Sequence, residues 1–91
     1  MARWKVEMTR ESEVQLVADF KAGLVSAEDI QVIKVWISEV EARGIERAQA
    51  NLTWRDHELE GEWKGHRAVS FSYSGRVIYR IENAQVIVRV V

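Results

Sequence analysis

Three runs rich in Val, Ile, Phe and Tyr close the chain, at 67–73, 76–82 and 86–91. They are separated only by Ser74-Gly75 and by Glu82-Asn83-Ala84-Gln85, connections short enough for hairpin turns. This pattern predicts a β-meander, and everything before it must supply the cover for one face of that sheet. Period two sorts the faces. Val69, Phe71 and Tyr73 share one side of the first run, Val77, Tyr79 and Ile81 one side of the second, and Val86, Val88 and Val90 one side of the third. Packing these bulky sets under helices leaves a second face with Arg76, Arg80 and Arg89 beside Ser70 and Ser72. An antiparallel sheet can leave such a face to solvent, and guanidinium groups among small neighbours suit phosphate oxygens.

The first half supplies the cover. Trp4 to Met8 alternates as a short half-buried strand. Val14, Leu16, Val17, Phe20 and Leu24 recur at helical steps, and Gly23 interrupts or closes that helix. Ser26-Ala27-Glu28-Asp29 reads as a capping box that opens a second helix. Ile30, Ile33, Ile37 and Val40 form its stripe, widened by Val32 and Trp36, and Arg43-Gly44 ends it. Residues 45–56 show no clean period. The expected architecture is one α+β domain over residues 1–91, in the order β-α-α-β-β-β, with a small antiparallel sheet carrying two helices on one face.

Composition narrows the function. The 91 residues are 47% hydrophobic and 30% charged, with 13 basic and 14 acidic side chains, which excludes a disordered tail. No run approaches the ~20 apolar residues of a membrane span, so a cytoplasmic location is expected. Cysteine is absent, which removes disulfides, thiolate metal sites and Cys nucleophiles. His57 and His66 do not pair with nearby acids at metal-ligand spacing, and the run Asp56, Glu58, Glu60 and Glu62 reads as a solvated edge, so no metal is expected. Gly61 and Gly65 are not followed by a helical pattern, so no nucleotide cofactor is expected either. Charge is uneven. Lys64, Arg67, Arg76 and Arg80, with His66, lie between Trp63 and Ile81 without an acid among them, and any polyanion would bind there.

The segment His57-Glu58-Leu59-Glu60-Gly61-Glu62-Trp63-Lys64-Gly65-His66-Arg67 resembles the H-x-L-x-G-x-W-x-G-x-R stretch of bacterial RelE/ParE-superfamily toxins, nearest to their YafQ-like members. Arg76 to Ile81 resembles the R-L-V-Y-x-V strand of the same superfamily, and Glu82 to Val88 its acidic turn and final strand. The likeness covers residues 52–91; before that it rests on the order of elements. In physical terms, Gly61 and Gly65 allow turns, Leu59 and Trp63 are expected to anchor in the core, and His57 stands at the rim.

The resemblance implies the toxin of a type II toxin–antitoxin system, a ribosome-dependent endoribonuclease that cuts messenger RNA and is neutralised by an antitoxin. His57 and Arg76 fall on catalytic positions of the family, and Lys64, Arg67, Arg80 and Arg89 are the expected RNA-binding cations. Ser70 and Ser74 stand where YafQ-like relatives carry a histidine and an aspartate. The catalytic segment that relatives carry after the last strand has no counterpart, so poor cleavage by these 91 residues is expected. The alternatives are a ParE-like toxin that inhibits DNA gyrase by binding and a decayed module that only binds antitoxin. A partner protein is expected on exposed Trp36, Ile37, Val32 and Ile30 and on a free edge at the last strand, with self-association in its absence.

Overall fold

A computed structural model describes residues 4–72, 75–83 and 85–90, apart from the side chains of Arg89 and Val90. The elements are β1 (Lys5–Met8), α1 (Arg10–Lys21), α2 (Ala27–Arg43), α3 (Ile45–Ala50), β2 (His57–Glu58), β3 (Arg67–Ser70), β4 (Arg76–Glu82) and β5 (Gln85–Val90), with 3₁₀ turns at Leu52–Trp54 and Gly61–Trp63. The class is α+β, as the sequence indicates. Two features were not anticipated. The sheet has five strands in the order β1-β5-β4-β3-β2, and β1 runs parallel to β5, Lys5 beside Gln85 and Met8 beside Val88. A third helix fills part of the segment without a clean period.

The capping box forms as expected. The Ser26 hydroxyl accepts from the Asp29 N–H at 3.0 Å, and the Asp29 carboxylate accepts from the Ser26 N–H at 3.0 Å. These contacts satisfy two donors that a helix start otherwise leaves open. Gly44, at φ +91, ends α2 and turns directly into α3. A side chain there would press on the Trp4 indole, 3.3 Å from the position of a Cβ. The junction therefore needs glycine for both its backbone and its space.

The core lies between the helices and one face of the sheet. Ile33, Trp36 and Val40 of α2, Ile45 and Ala48 of α3, and Trp54 pack on Val69, Val77, Tyr79, Val86 and Val88. Val69, Val77, Tyr79, Val86 and Val88 of the alternating positions thus point under the helices. Ile81 departs from the pattern at 43% exposed. On the outer face Ala68 and Ile78 are also buried, so this face is not a bare solvated surface. Leu59 and Trp63 are half-buried and do not join the central cluster.

The expected partner surface is corrected. Trp36 is 1% exposed, because α2 turns its wide stripe onto the sheet and its indole meets the Tyr79 ring at a centroid distance of 5.3 Å. β5 offers no free edge, since it lies between β1 and β4. At one of the two actual edges, the Val6 N–H of β1 is taken by Glu41 of α2 at 3.1 Å, which blunts strand addition there. The exposed apolar stripe belongs instead to α1. Val14, Val17, Phe20 and the following Leu24 are 47–75% exposed, and of that helix's stripe only Leu16 packs against the core. Among the described residues, no helix is long and apolar enough to cross a membrane.

Candidate functional site

A cavity of about 780 Å³ opens where the N-terminal half of α2 and the first 3₁₀ turn meet the ends of β3 and β4. Ser70 and Arg76 stand opposite each other in the β3–β4 ladder, so their side chains share the outer face. Thr53, Arg55 and Ser72 complete the polar part of the wall, and Val32, Trp54 and Phe71 its apolar part. The Ser70 hydroxyl is buried without a hydrogen-bond partner in the protein. Arg76 donates through Nη1 to the Gly75 carbonyl at 3.0 Å and the Ser72 carbonyl at 3.5 Å. The turn that places it is tightly built. The Ser72 hydroxyl accepts from the Gly75 N–H at 2.9 Å, and a Cβ on Gly75 would lie 2.4 Å from the Phe71 ring.

His57 pairs with Ala68, and Ala68 with Ile78, so His57 shares the outer face with Arg76 and lies one side-chain step along the strands from it. Its ring Nδ1 lies 2.9 Å from the Arg55 carbonyl, and the ring is exposed. Arg80 lies on the same face, two steps beyond Arg76 on β4. Its Nε is buried without a hydrogen bond, although Glu82 stands 3.4 Å away as an ion-pair neighbour. Lys64 is not brought to this group; it lines a separate recess of about 450 Å³ with Glu58, Glu60 and His66. The backbone of Arg89 lies level with Ile78, but its side chain, like Tyr73 and Ser74, falls outside the described residues.

Arg67 is a correction. It pairs with Tyr79 in the ladder, which puts it on the helix side of the sheet, away from Arg76 and Arg80. Its Nε donates to Asp56 at 2.5 Å and its Nη1 to Glu58 at 3.3 Å. Burial works against the charge of Arg67, but the hydrogen bond and the attraction from Asp56 outweigh it and raise its pKa. The guanidinium, on a side chain 27% exposed, is committed to these two carboxylates. Asp56 is a second correction, since its side chain is 0% exposed rather than part of a solvated edge. The Tyr79 hydroxyl donates to the other Asp56 oxygen, and Gln49 of α3 donates to the Tyr79 oxygen at 3.1 Å.

Burial, and then the hydrogen bond to Asp56, raise the Tyr79 pKa well above its ordinary 10.0. This phenol is therefore no proton donor for the cavity. The sign of its effect on stability follows from proton binding. As pH climbs through about 10, the unfolded chain loses its tyrosine proton while the folded chain keeps it. Folded stability should therefore decline above that pH, and Tyr79→Phe should flatten the decline. Urea midpoints measured from pH 8 to 11 check this; parallel curves for variant and parent would refute it.

Arg55 carries no motif that marks it in the sequence. It sits in the left-handed region at φ 51 and ψ 42, directly after the 3₁₀ turn. The cavity therefore has two guanidinium side chains in its wall and three hydroxyls beside them, a donor set matched to a phosphodiester. No group of three or more His, Cys, Asp or Glu side chains among the described residues could hold a metal ion.

This arrangement belongs to a known class of fold: the chain has the fold of RelE-superfamily toxins. Among solved structures it is similar to YafQ from E. coli strain BL21(DE3), at 14% identity and TM-score 0.72, over 97% of this chain and 93% of that one. It is also similar to a chain of the YoeB-YefM toxin-antitoxin complex from Staphylococcus aureus, at 9% identity and TM-score 0.69, over 98% and 94%. A chain of the E. coli DinJ-YafQ toxin-antitoxin complex matches at 15% identity and TM-score 0.71, over 98% and 93%. No protein-family model matches the sequence, and no curated protein does.

Proposed function

We propose that this protein is the toxin of a type II toxin–antitoxin system and acts on messenger RNA at the ribosome as an endoribonuclease. The observation that carries the reading is the cavity itself, with Arg76, Arg55 and Ser70 in its wall, and His57 on the same outer face as Arg76. In the reaction a ribose 2′-hydroxyl loses its proton and its oxygen bonds to the adjacent phosphorus. The bond to the 5′-oxygen breaks, and that oxygen takes up a proton. Arg76 and Arg55 hold the phosphate oxygens and offset the added charge of the crowded phosphorus. His57, an exposed imidazole, is the group that moves a proton. Arg80 extends the cationic face along β4.

The test is a translation-coupled cleavage assay with the purified chain and its His57→Gln variant. Cleavage by the parent and about 10²–10⁴-fold slower cleavage by the variant supports the reading. Equal rates remove His57 from the chemistry. Gyrase inhibition without cleavage would replace the reading with the ParE-like one, for which the neighbours named above offer no support.

The partner in this reading is an antitoxin, as in the DinJ-YafQ and YoeB-YefM complexes. It covers α1, where Val14, Val17, Phe20 and Leu24 expose one apolar stripe to which an amphipathic segment can add its own. Val17→Asp should leave folding stability within about 0.5 kcal/mol, since the side chain is exposed. The same change should weaken antitoxin binding by about 2 kcal/mol, the scale of an interface hot spot. Calorimetric titration with the antitoxin checks both the affinity and the site; an unchanged affinity moves the interface elsewhere.

A further inference from the structure

The ladder alone holds the segment that carries Arg55 and His57 only weakly. β2 is two residues long and lies at the edge of the sheet. Arg55 occupies a left-handed conformation, which a non-glycine residue keeps only where its surroundings hold it. Between Arg55 and His57 stands Asp56, fully buried on the helix side. Its two oxygens are divided between strands: one accepts from Arg67 of β3 and the other from Tyr79 of β4. Gln49 of α3 braces the same hydroxyl. Burying a charge pair gives little net stability over an apolar cluster of similar volume, so what this cluster supplies is definition of geometry.

Building on the proposed nuclease activity, we infer that Asp56 is a positioning residue, whose carboxylate, clamped by Arg67 and Tyr79, fixes residues 55–57 so that Arg55 and His57 meet the RNA phosphate. With position 56 pinned inward, Arg55 turns into the wall of the cavity, and His57, paired with Ala68, stands on the outer face beside it. Arg67 and Tyr79 act through Asp56 and touch no substrate. The contact between the His57 ring and the Arg55 carbonyl couples the two outward residues, so one anchor sets both.

The experiment compares the parent with Asp56→Asn and Tyr79→Phe in two measurements. One is the turnover of RNA in the translation-coupled assay at saturating substrate. The other is the position of the His57 imidazole signals by NMR, read in the free protein. Both variants should shift or broaden the His57 signals, and turnover should fall about a hundredfold, the cost of a displacement near one ångström. RNA affinity should change less than turnover. Lowered thermal stability with His57 signals and turnover like the parent's would make Asp56 merely structural and overturn the inference. Tyr79→Phe keeps the Asp56–Arg67 pair and decides the matter alone if Asp56→Asn does not fold. A parent that cleaves nothing would defeat the nuclease reading, while the His57 signals would still show whether Asp56 sets that residue's place.

Discussion

Replacing Arg76 with alanine is expected to slow RNA cleavage by about 10²–10³-fold, the usual loss when one fixed donor to a developing charge is removed. Arg76 stands in the ladder opposite Ser70 and in the wall of the cavity that also includes Arg55. Its hydrogen bonds to the Gly75 and Ser72 carbonyls fix the guanidinium plane before any ligand arrives, so little reorganisation is left for the reaction. The Lys variant separates charge from shape. It keeps the cation but lacks the planar fork, and should recover only part of the rate. RNA affinity should also fall and lose about one unit of its salt slope, because one fewer counterion is released. Single-turnover cleavage and binding at several salt concentrations measure these effects. An alanine variant with the parent's rate and salt slope would place the phosphate elsewhere.

Trp36→Ala is expected to cost about 3–5 kcal/mol of folding stability. The ring is 1% exposed and lies tilted by 47° against Tyr79, so its removal opens a cavity at the centre of the helix–sheet interface. A chain of 91 residues has a total stability of roughly 5–14 kcal/mol, which makes this loss a large share of it. The Phe variant should suffer much less. It keeps most of the packing and also removes the Trp36 indole N–H, a buried donor with no partner. Urea titration of the three proteins measures the ordering. An Ala variant within 1 kcal/mol of the parent, a margin typical of surface changes, would show that the core does not close around this ring.

What could be read from the sequence was whatever repeats locally. Ser26 and Asp29 are three positions apart and cap each other, and Val69, Val77, Tyr79, Val86 and Val88 follow the strand period onto one face. α3 escaped because only Ile45 and Ala48 of its six residues are buried, too few to set a helical period. The α1 stripe was legible as a stripe, but periodicity says which side chains share a face and not whether anything covers them. The partner surface was misplaced on α2 for that reason. His57 is legible only through motif resemblance, and Arg76 through both the motif and the strand period that puts it on the outer face. Arg55 and the burial of Asp56 are not, since a lone arginine in a turn and one acid in an acidic run carry no local signal. Only the convergence of β2, β3, β4 and α3 makes them part of the site.

The place of β5 in the sheet orders events in time. Lys5 lies beside Gln85 and Met8 beside Val88, so β1 has no partner in the sheet until β5 has been made. The Val86 and Val88 side chains, both 0% exposed, complete the core that every helix packs upon. A chain made only as far as β4 lacks the strand that joins β1 to the rest of the sheet, and such distant pairing closes slowly. The cavity depends on that sheet, so it takes shape only once β5 has closed between β1 and β4.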